Sequence, residues 1–378
     1  MTRMALPIRL DSVRKEYRTA GETFVAVDDL SLEIPAGSFT TIVGPSGCGK
    51  TTTLRMIAGL ETVTGGSIRF GDREVTHVRP QDRNTTMVFQ SIALYPHMTV
   101  RENIGYGLKV DGVPGDERDR RVEEAAETLQ IGEQLEKMPS ELSGGQQQRV
   151  ALGSAFVQDP DVLLLDEPMS DLDAKLKAEL RVEVQRLHQE LDATMVYVTH
   201  DQTEAMTMSD HVLLLEDGEL AQFAPPGELF DRPVSEYVAR FIGTPSTNVL
   251  PATVEAADGG YALAGEGFSV PAPPEAFADR VGEAAGVGVR PQYLDRSGGP
   301  HGFAVETEVV EQLGTEFVVH GHTPAGTDVD VVLADVAGVE PGATFEASFS
   351  PGDVVVFGAD GRTVCYGDAL ERPRTADT

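Results

Sequence analysis

The stretch Gly44-Pro45-Ser46-Gly47-Cys48-Gly49-Lys50-Thr51 constrains this chain more than any other part of it. Ser38 to Val43 reads as a buried strand leading into it, and Thr52 to Leu60 reads as the helix that follows. The stretch fits the pattern G-x-x-x-x-G-K-[ST], in which glycines let backbone N–H groups close around phosphate oxygens. Lys50 would reach the β- and γ-phosphates, and the Thr51 hydroxyl would bind Mg2+. A plain strand-to-helix turn is the competing reading. It is disfavoured by the complete pattern with both flanking elements in place.

At 378 residues the chain is too long for one ordinary core, so two or three domains are expected. No apolar run approaches the roughly 20 residues that span a bilayer, and the first residues lack the apolar core of a secretory signal. The expectation is a soluble, intracellular chain. Two cysteines, Cys48 and Cys365, make no disulfide framework and suit a reducing cytoplasm.

Asp and Glu number 61 against 30 Lys and Arg, a formal net charge of -31. Only six lysines occur, none after Lys177. Such an excess repels itself in dilute buffer, whereas at molar salt the screening length falls to about 3 Å. Because the acid is spread along the whole chain, we read adaptation to a salt-rich cytoplasm, as in extreme halophiles, ahead of an acidic face made for a basic partner. Nucleic-acid binding is disfavoured on the same ground.

Ile8 to Ile34 carries two alternating stretches that read as antiparallel strands, with Tyr17 between them, an aromatic that can stack on adenine or pack against the strands, the former reading slightly favoured. A strand over Thr85 to Gln90 would end in a glutamine able to ligate Mg2+ or sense the γ-phosphate. Taken alone, Gln90 is an ordinary loop residue. Val100 to Gln158 reads as mostly helical, within a helical subdomain at about 97–158.

Inside that stretch Ser143-Gly144-Gly145-Gln146 opens a helix, with Ser143 as its N-cap and bare N–H groups suited to an anion. The chain already has one phosphate cradle, so this second one suggests a site serving another molecule's nucleotide. Val162 to Leu165 is a continuous apolar strand ending in Asp166 and Glu167, and burying unpaired charge is costly. A metal held with Thr51 explains Asp166, and an attacking water explains Glu167 as general base. The strand Thr194 to Thr199 ends at His200, which can donate to a γ-phosphate, although a lone histidine there is more often structural.

Asp217-Gly218 marks a hairpin, and helices over Pro226 to Phe230 and Val234 to Phe241 close the first domain at 242. A linker at 243–249 leads to 250–378, where short strand-like runs between turns predict a small all-β barrel or pair of barrels. His301, His320 and His322 raise the question of a metal, but neither cysteine nor tight ligand spacing supports one.

Taken together, the phosphate loop, Gln90, Leu142 to Gln146, the strand with Asp166-Glu167, Ser170 to Asp173 and His200 resemble the ATPase subunit of ABC transporters. The likeness covers about the first 240 residues. Gln90 to His97, Ala174-Lys175-Leu176, Val198 to Met206, Phe241 to Pro245 and Val289 to Gln292 look more narrowly like the maltose-type carbohydrate importers. The tail is similar to the OB-like, TOBE-type regulatory domain those importers carry. The implied fold is an α/β P-loop ABC ATPase with an antiparallel β subdomain and a helical subdomain, plus that β domain.

The resemblance implies two such subunits closing head to tail on two MgATP. Tyr17, Gly44, Pro45, Ser46, Gly47, Cys48, Gly49, Lys50, Thr51, Thr52, Gln90, Asp166, Glu167 and His200 of one copy would face Ser143, Gly144, Gly145 and Gln146 of the other. Thr51, Gln90 and Asp166 would hold Mg2+, and Glu167, His200 and Gln90 would serve catalysis. Closure would drive two membrane permease subunits resting near Gln90 to Asn103 at the cytoplasmic face of the membrane, with an external solute-binding protein choosing the cargo. Asp171 stands where a neutral residue is more common, and Ser154 where arginine often stands. The same motifs serve importers of polyamines, iron or sulfate, and the alternative from another class is a soluble ABC ATPase.

Overall fold

The computed structural model describes residues 5–19, 21–257, 260–296, 298–299 and 301–370. By its contacts the chain divides into two compact units, 1–226 and 227–378. The division falls ahead of the 243–249 linker read from the sequence.

The first unit opens with a long hairpin, β1 (Ile8–Thr19) and β2 (Glu22–Ile34), followed by β3 (Phe39–Val43) and α1 (Lys50–Ala58). Then come β4 (Gly65–Phe70), β5 (Arg73–Glu74) and β6 (Thr85–Val88). The helical part follows as α2 (Val100–Val110), α3 (Gly115–Thr128) and α4 (Gly144–Phe156). The remaining elements are β7 (Val162–Asp166), α5 (Ala174–Glu190), β8 (Thr194–Val198), α6 (Gln202–Met208), β9 (His211–Glu216) and β10 (Glu219–Ala224).

Two sheets form. Antiparallel β2-β1-β4-β5 is one, and β10-β9-β3-β8-β7-β6 is the other, parallel except for the β9–β10 hairpin. In the second sheet the segments leaving β3, β8, β7 and β6 emerge side by side. They carry Gly44, His200, Glu167 and Gln90 in turn. An open parallel sheet places ligands outside the carboxyl ends of its strands.

Strand β7 shows why this sheet is central. Leu163 and Leu165 pack into the core shared with α2, α3, α4 and α5, while Val162 and Leu164 face the core formed with α1, β1, β2 and β4. Both faces are covered, which accounts for an unbroken apolar run. Each fully buried leucine contributes roughly 1.5–3 kcal/mol. The Asp217-Gly218 turn has both φ values positive, 47° and 88°, as a tight two-residue hairpin requires.

Three expectations need correction. Strand β6 stops at Val88, so Gln90 stands in the exposed segment beyond it rather than at the strand end. Helix α1 begins at Lys50 and stops at Gly59, whose φ of 77° lets it close the helix. The hairpin β1–β2 is far longer than its two alternating stretches, because register shifts near Val13 and Lys15 break the alternation.

The second unit begins with short helices α7 (Pro226–Asp231) and α8 (Glu236–Phe241). Two antiparallel sheets follow. One contains Asn248–Ala257, Gly260–Gly265, Ser269–Ala272, Ala284–Val289, Val354–Gly358 and Thr363–Tyr366; the other contains Gly302–Leu313, Glu316–His322, Asp328–Leu333 and Thr344–Ser348. They share one core that includes Leu263, Val287, Val305, Val319, Val331 and Val356. His320 Nδ1 lies 2.7 Å from Asp330 Oδ1, and His301 Nδ1 lies 2.7 Å from the Ser269 carbonyl. These rings thus have protein partners.

Candidate functional site

The phosphate loop leaves β3 with three glycines at positive φ, 149° at Gly44, 87° at Gly47 and 100° at Gly49. A Cβ at Gly44 would lie 2.4 Å from the Leu215 carbonyl oxygen, and one at Gly49 2.5 Å from that of Ala26. Both positions therefore need glycine for space as well as for conformation. Pro45, Ser46 and Gly47 are exposed, whereas Thr51 and Thr52 are half-buried.

Lys50 is nearly buried and donates through Nζ to the carbonyls of Gly44 and Pro45, each at 2.8 Å. No side chain caps α1 and no acid sits in its first turn. Helix N-terminal N–H groups, an ammonium and an exposed glycine loop together fit a polyphosphate. Burial raises the Cys48 thiol above its ordinary range, so this cysteine packs rather than reacts.

Across the sheet, the Thr51 hydroxyl donates to Asp166 Oδ1 at 3.2 Å, and Arg55 approaches Asp166 Oδ2 at 3.8 Å. Burial pushes the Asp166 carboxyl up, against the pull of Thr51 and Arg55. A buried carboxylate joined to a hydroxyl is a hard-oxygen donor set of the kind Mg2+ takes.

The next residue, Glu167, has a φ of 46°, left-handed and uncommon for glutamate. Its N–H donates to the Val198 carbonyl at 3.0 Å, pinning the end of β7 to the end of β8. His200 Nδ1 then lies 3.2 Å from Glu167 Oε2, with the imidazole largely exposed. The structure thus brings Thr51 to Asp166 and Glu167 to His200.

Ser143 to Gln146 form a separate group. The Ser143 hydroxyl accepts from the Gln146 N–H at 3.4 Å, and Gln146 Oε1 accepts from the Ser143 N–H at 3.0 Å, a capping box. Gly145 is buried, and a Cβ there would meet Leu176 at 2.2 Å, while Gly144 is exposed with open space around it. Among the described residues, no hydrogen bond or ion pair joins this group to the phosphate loop of the same chain.

Several supporting residues escaped the sequence reading. Arg83 is buried and donates to the carbonyls of Met56, Ile57, Val78 and Thr76, which caps the end of α1; burial lowers it to about 10. Arg149 meets Glu183 at 3.0 Å, tying α4 to α5. Glu204 is buried and accepts from the Tyr197 hydroxyl at 2.5 Å and the Thr199 hydroxyl at 2.6 Å, fixing the strand end before His200. Burial, reinforced by Glu204, pushes the Tyr197 phenol well above its ordinary value. No residue pattern in the sequence announces these pairings, whether the partners are near, as for Glu204, or far, as Met56 is from Arg83.

Residues 27–170 match the ABC transporter family and 287–357 match the TOBE domain. The xylose/arabinose import ATP-binding protein XacK of Haloferax volcanii is 48% identical over 374 residues, covering 96% of this chain and 95% of that protein. The chain belongs to the ABC transporter ATP-binding proteins.

An sn-glycerol-3-phosphate import ATP-binding protein, UgpC of Ruegeria pomeroyi, is 47% identical over 345 residues, covering 91% of this chain and 94% of its own length. The diacetylchitobiose uptake ATP-binding protein MsiK of Streptomyces coelicolor is 44% identical over 369 residues, covering 93% and 97%. A dimeric bacterial ABC transporter cassette of known structure superposes with a TM-score of 0.53 at 31% identity, covering 58% of this chain and 98% of that one. The ABC ATPase fold followed by a TOBE domain in an all-β region agrees with the sequence expectation. An ABC ATPase binds ATP and hydrolyses it.

Proposed function

We propose that this chain is the ATP-hydrolysing subunit of a carbohydrate importer, working through partner permease subunits. The observation that carries the proposal is near full-length similarity to import proteins named for xylose/arabinose and diacetylchitobiose. The glycerol-3-phosphate relatives keep a phosphorylated polyol within the same reading.

In this account Lys50 and the N–H groups of the loop bind the β- and γ-phosphates, with Gly44, Pro45, Ser46, Gly47, Cys48, Gly49 and Thr52 shaping the cradle and Tyr17 stacking on the base. Thr51, Asp166 and Gln90 would hold Mg2+, which when bound neutralises phosphate charge. Glu167 accepts the proton of the attacking water, and His200 orients Glu167 and donates to the γ-phosphate. Ser143, Gly144, Gly145 and Gln146 of a second copy complete the site. The exposed Ser143 and Gly144 at the start of α4 support that arrangement.

Permease docking falls to a groove of about 420 Å3 lined by Phe89, Leu94, Tyr95, Tyr106, Val110 and Ser154. Phe89, Tyr95 and Val110 are 39%, 43% and 67% exposed there, an apolar face suited to a permease helix. Among the described residues, no helix is long and apolar enough to cross a membrane. Attachment at the cytoplasmic face would come from the permease. Residues 250–378 would serve regulation.

Uptake of labelled sugars, polyamines and inorganic ions by cells whose only copy carries Glu167→Gln tests the reading. Selective loss of sugar uptake is expected. Loss of a non-sugar solute would move the cargo class, and unchanged uptake throughout would favour a soluble ABC ATPase. The net charge of -31 supports residence in a salt-rich cytoplasm. Thermal melting should therefore shift upward between dilute buffer and molar KCl; a melting temperature indifferent to salt contradicts this.

A further inference from the structure

Tyr17 is held in place from below. The Lys15 side chain is 6% exposed, and its ammonium sits 4.8 Å from the centre of the Tyr17 ring. That ammonium donates to Glu61 Oε1 at 2.6 Å, to the Thr62 carbonyl at 2.8 Å and to the Thr62 hydroxyl at 3.1 Å. Glu61 also takes a hydrogen bond from the Thr62 N–H at 3.2 Å. Its carboxyl is held below the ordinary range, chiefly by the Lys15 bond, against the opposing effect of burial. Tyr17 itself remains 36% exposed.

Glu61 and Thr62 follow α1 after only Gly59 and Leu60. The N–H groups of Leu60 and Glu61 both return to the Arg55 carbonyl, at 2.9 and 3.1 Å, and Arg83 closes the carbonyls just before them. Thr64 donates to the Arg14 carbonyl at 2.8 Å, and the Glu16 N–H donates to the Thr64 hydroxyl at 3.0 Å. The far end of the phosphate-loop helix is thus joined to the strand segment that carries Tyr17.

We propose that Lys15 and Glu61 are positioning residues for the nucleobase, locking the Tyr17 ring to the helix whose other end carries the phosphate loop. The proposal rests on Tyr17 as the stacking ring. A cation over one face of an aromatic ring fixes its orientation and leaves the opposite face to the base. An aromatic platform immobilised in advance loses little side-chain freedom when the base arrives. Base and phosphates are then read by one rigid unit.

Calorimetric titration of the full chain with MgATP and with magnesium tripolyphosphate separates this role from general stability. Lys15→Met and Glu61→Gln should each weaken ATP about fivefold, and Tyr17→Ala about tenfold, magnitudes set by base–aromatic stacking. Tripolyphosphate affinity should stay unchanged in all three. The Lys15→Met/Tyr17→Ala double variant should be no weaker than Tyr17→Ala alone, and Lys15→Arg should restore ATP binding.

Wild-type ATP affinity in Lys15→Met and Glu61→Gln, with Tyr17→Ala weakened, would overturn the positioning role and leave stacking intact. Equal losses for ATP and tripolyphosphate would overturn it in favour of a merely structural role. Wild-type affinity in Tyr17→Ala would overturn the stacking assignment and the proposal with it. Should Lys15→Met fail to fold, Glu61→Gln carries the test alone.

Discussion

Glu167→Gln is expected to lower ATP turnover at least about a hundredfold while ATP still binds, since a positioned general base supplies on the order of 10²–10⁴ in rate. The residue is fixed twice, by its N–H bond to Val198 and by His200 at 3.2 Å from its carboxylate. Glutamine keeps the volume and an oxygen for His200 but has no basic oxygen to take a proton from water. The Thr51–Asp166 contact is untouched by the change. Phosphate release together with nucleotide retained on a sizing column measures both halves of this expectation. Turnover at the wild-type rate would remove Glu167 from the reaction.

Lys50→Ala is expected to weaken ATP binding on the order of a hundredfold, because hydrogen bonds to charged groups contribute about 1.5–3 kcal/mol each. In the structure the ammonium is already drawn into the loop by the Gly44 and Pro45 carbonyls. Reaching the phosphates then needs only a small movement of a long side chain. Alanine removes the charge and leaves those two carbonyls without that donor, so the loop should loosen as well. Titration calorimetry with ATP reads the affinity, and circular dichroism checks the fold. Unchanged affinity would contradict the phosphate-loop assignment.

The parts of the fold legible in the sequence are those whose cause is local. Val162 to Leu165 reads as a buried strand because every residue is apolar, and Gly44 to Thr51 reads as a phosphate cradle because residue type fixes what its backbone can do. Ser143 reads as an N-cap for the same reason, and its capping box with Gln146 is present. Glu167 shows the limit. Nothing in a Leu-Asp-Glu-Pro run announces a left-handed glutamate, since that conformation is imposed by the bond to β8.

Gly145 is instructive in another way. In the sequence Gly145 reads as allowing close approach to an anion, yet in the structure it leaves room for Leu176 at the start of α5, a contact no local pattern reveals. Arg83 and Lys15 are not legible in the sequence because a buried charge is recognisable only once its distant partners are in place, and Glu204 because its partners Tyr197 and Thr199, though near in sequence, form no recognisable pattern with it. The hairpin β1–β2 reads as shorter than it is because its register shifts spoil the alternation by which strands are recognised. The helices Pro226–Asp231 and Glu236–Phe241 were found where expected, but their contacts place them with the second unit.

In the proposed assembly two copies share each nucleotide, the phosphate loop of one facing Ser143 of the other. Light scattering of the Glu167→Gln chain with and without MgATP decides whether they do. A doubled mass that requires MgATP, carries two bound ATP and is abolished by Ser143→Arg is the predicted result. A single-chain mass at saturating MgATP would contradict it.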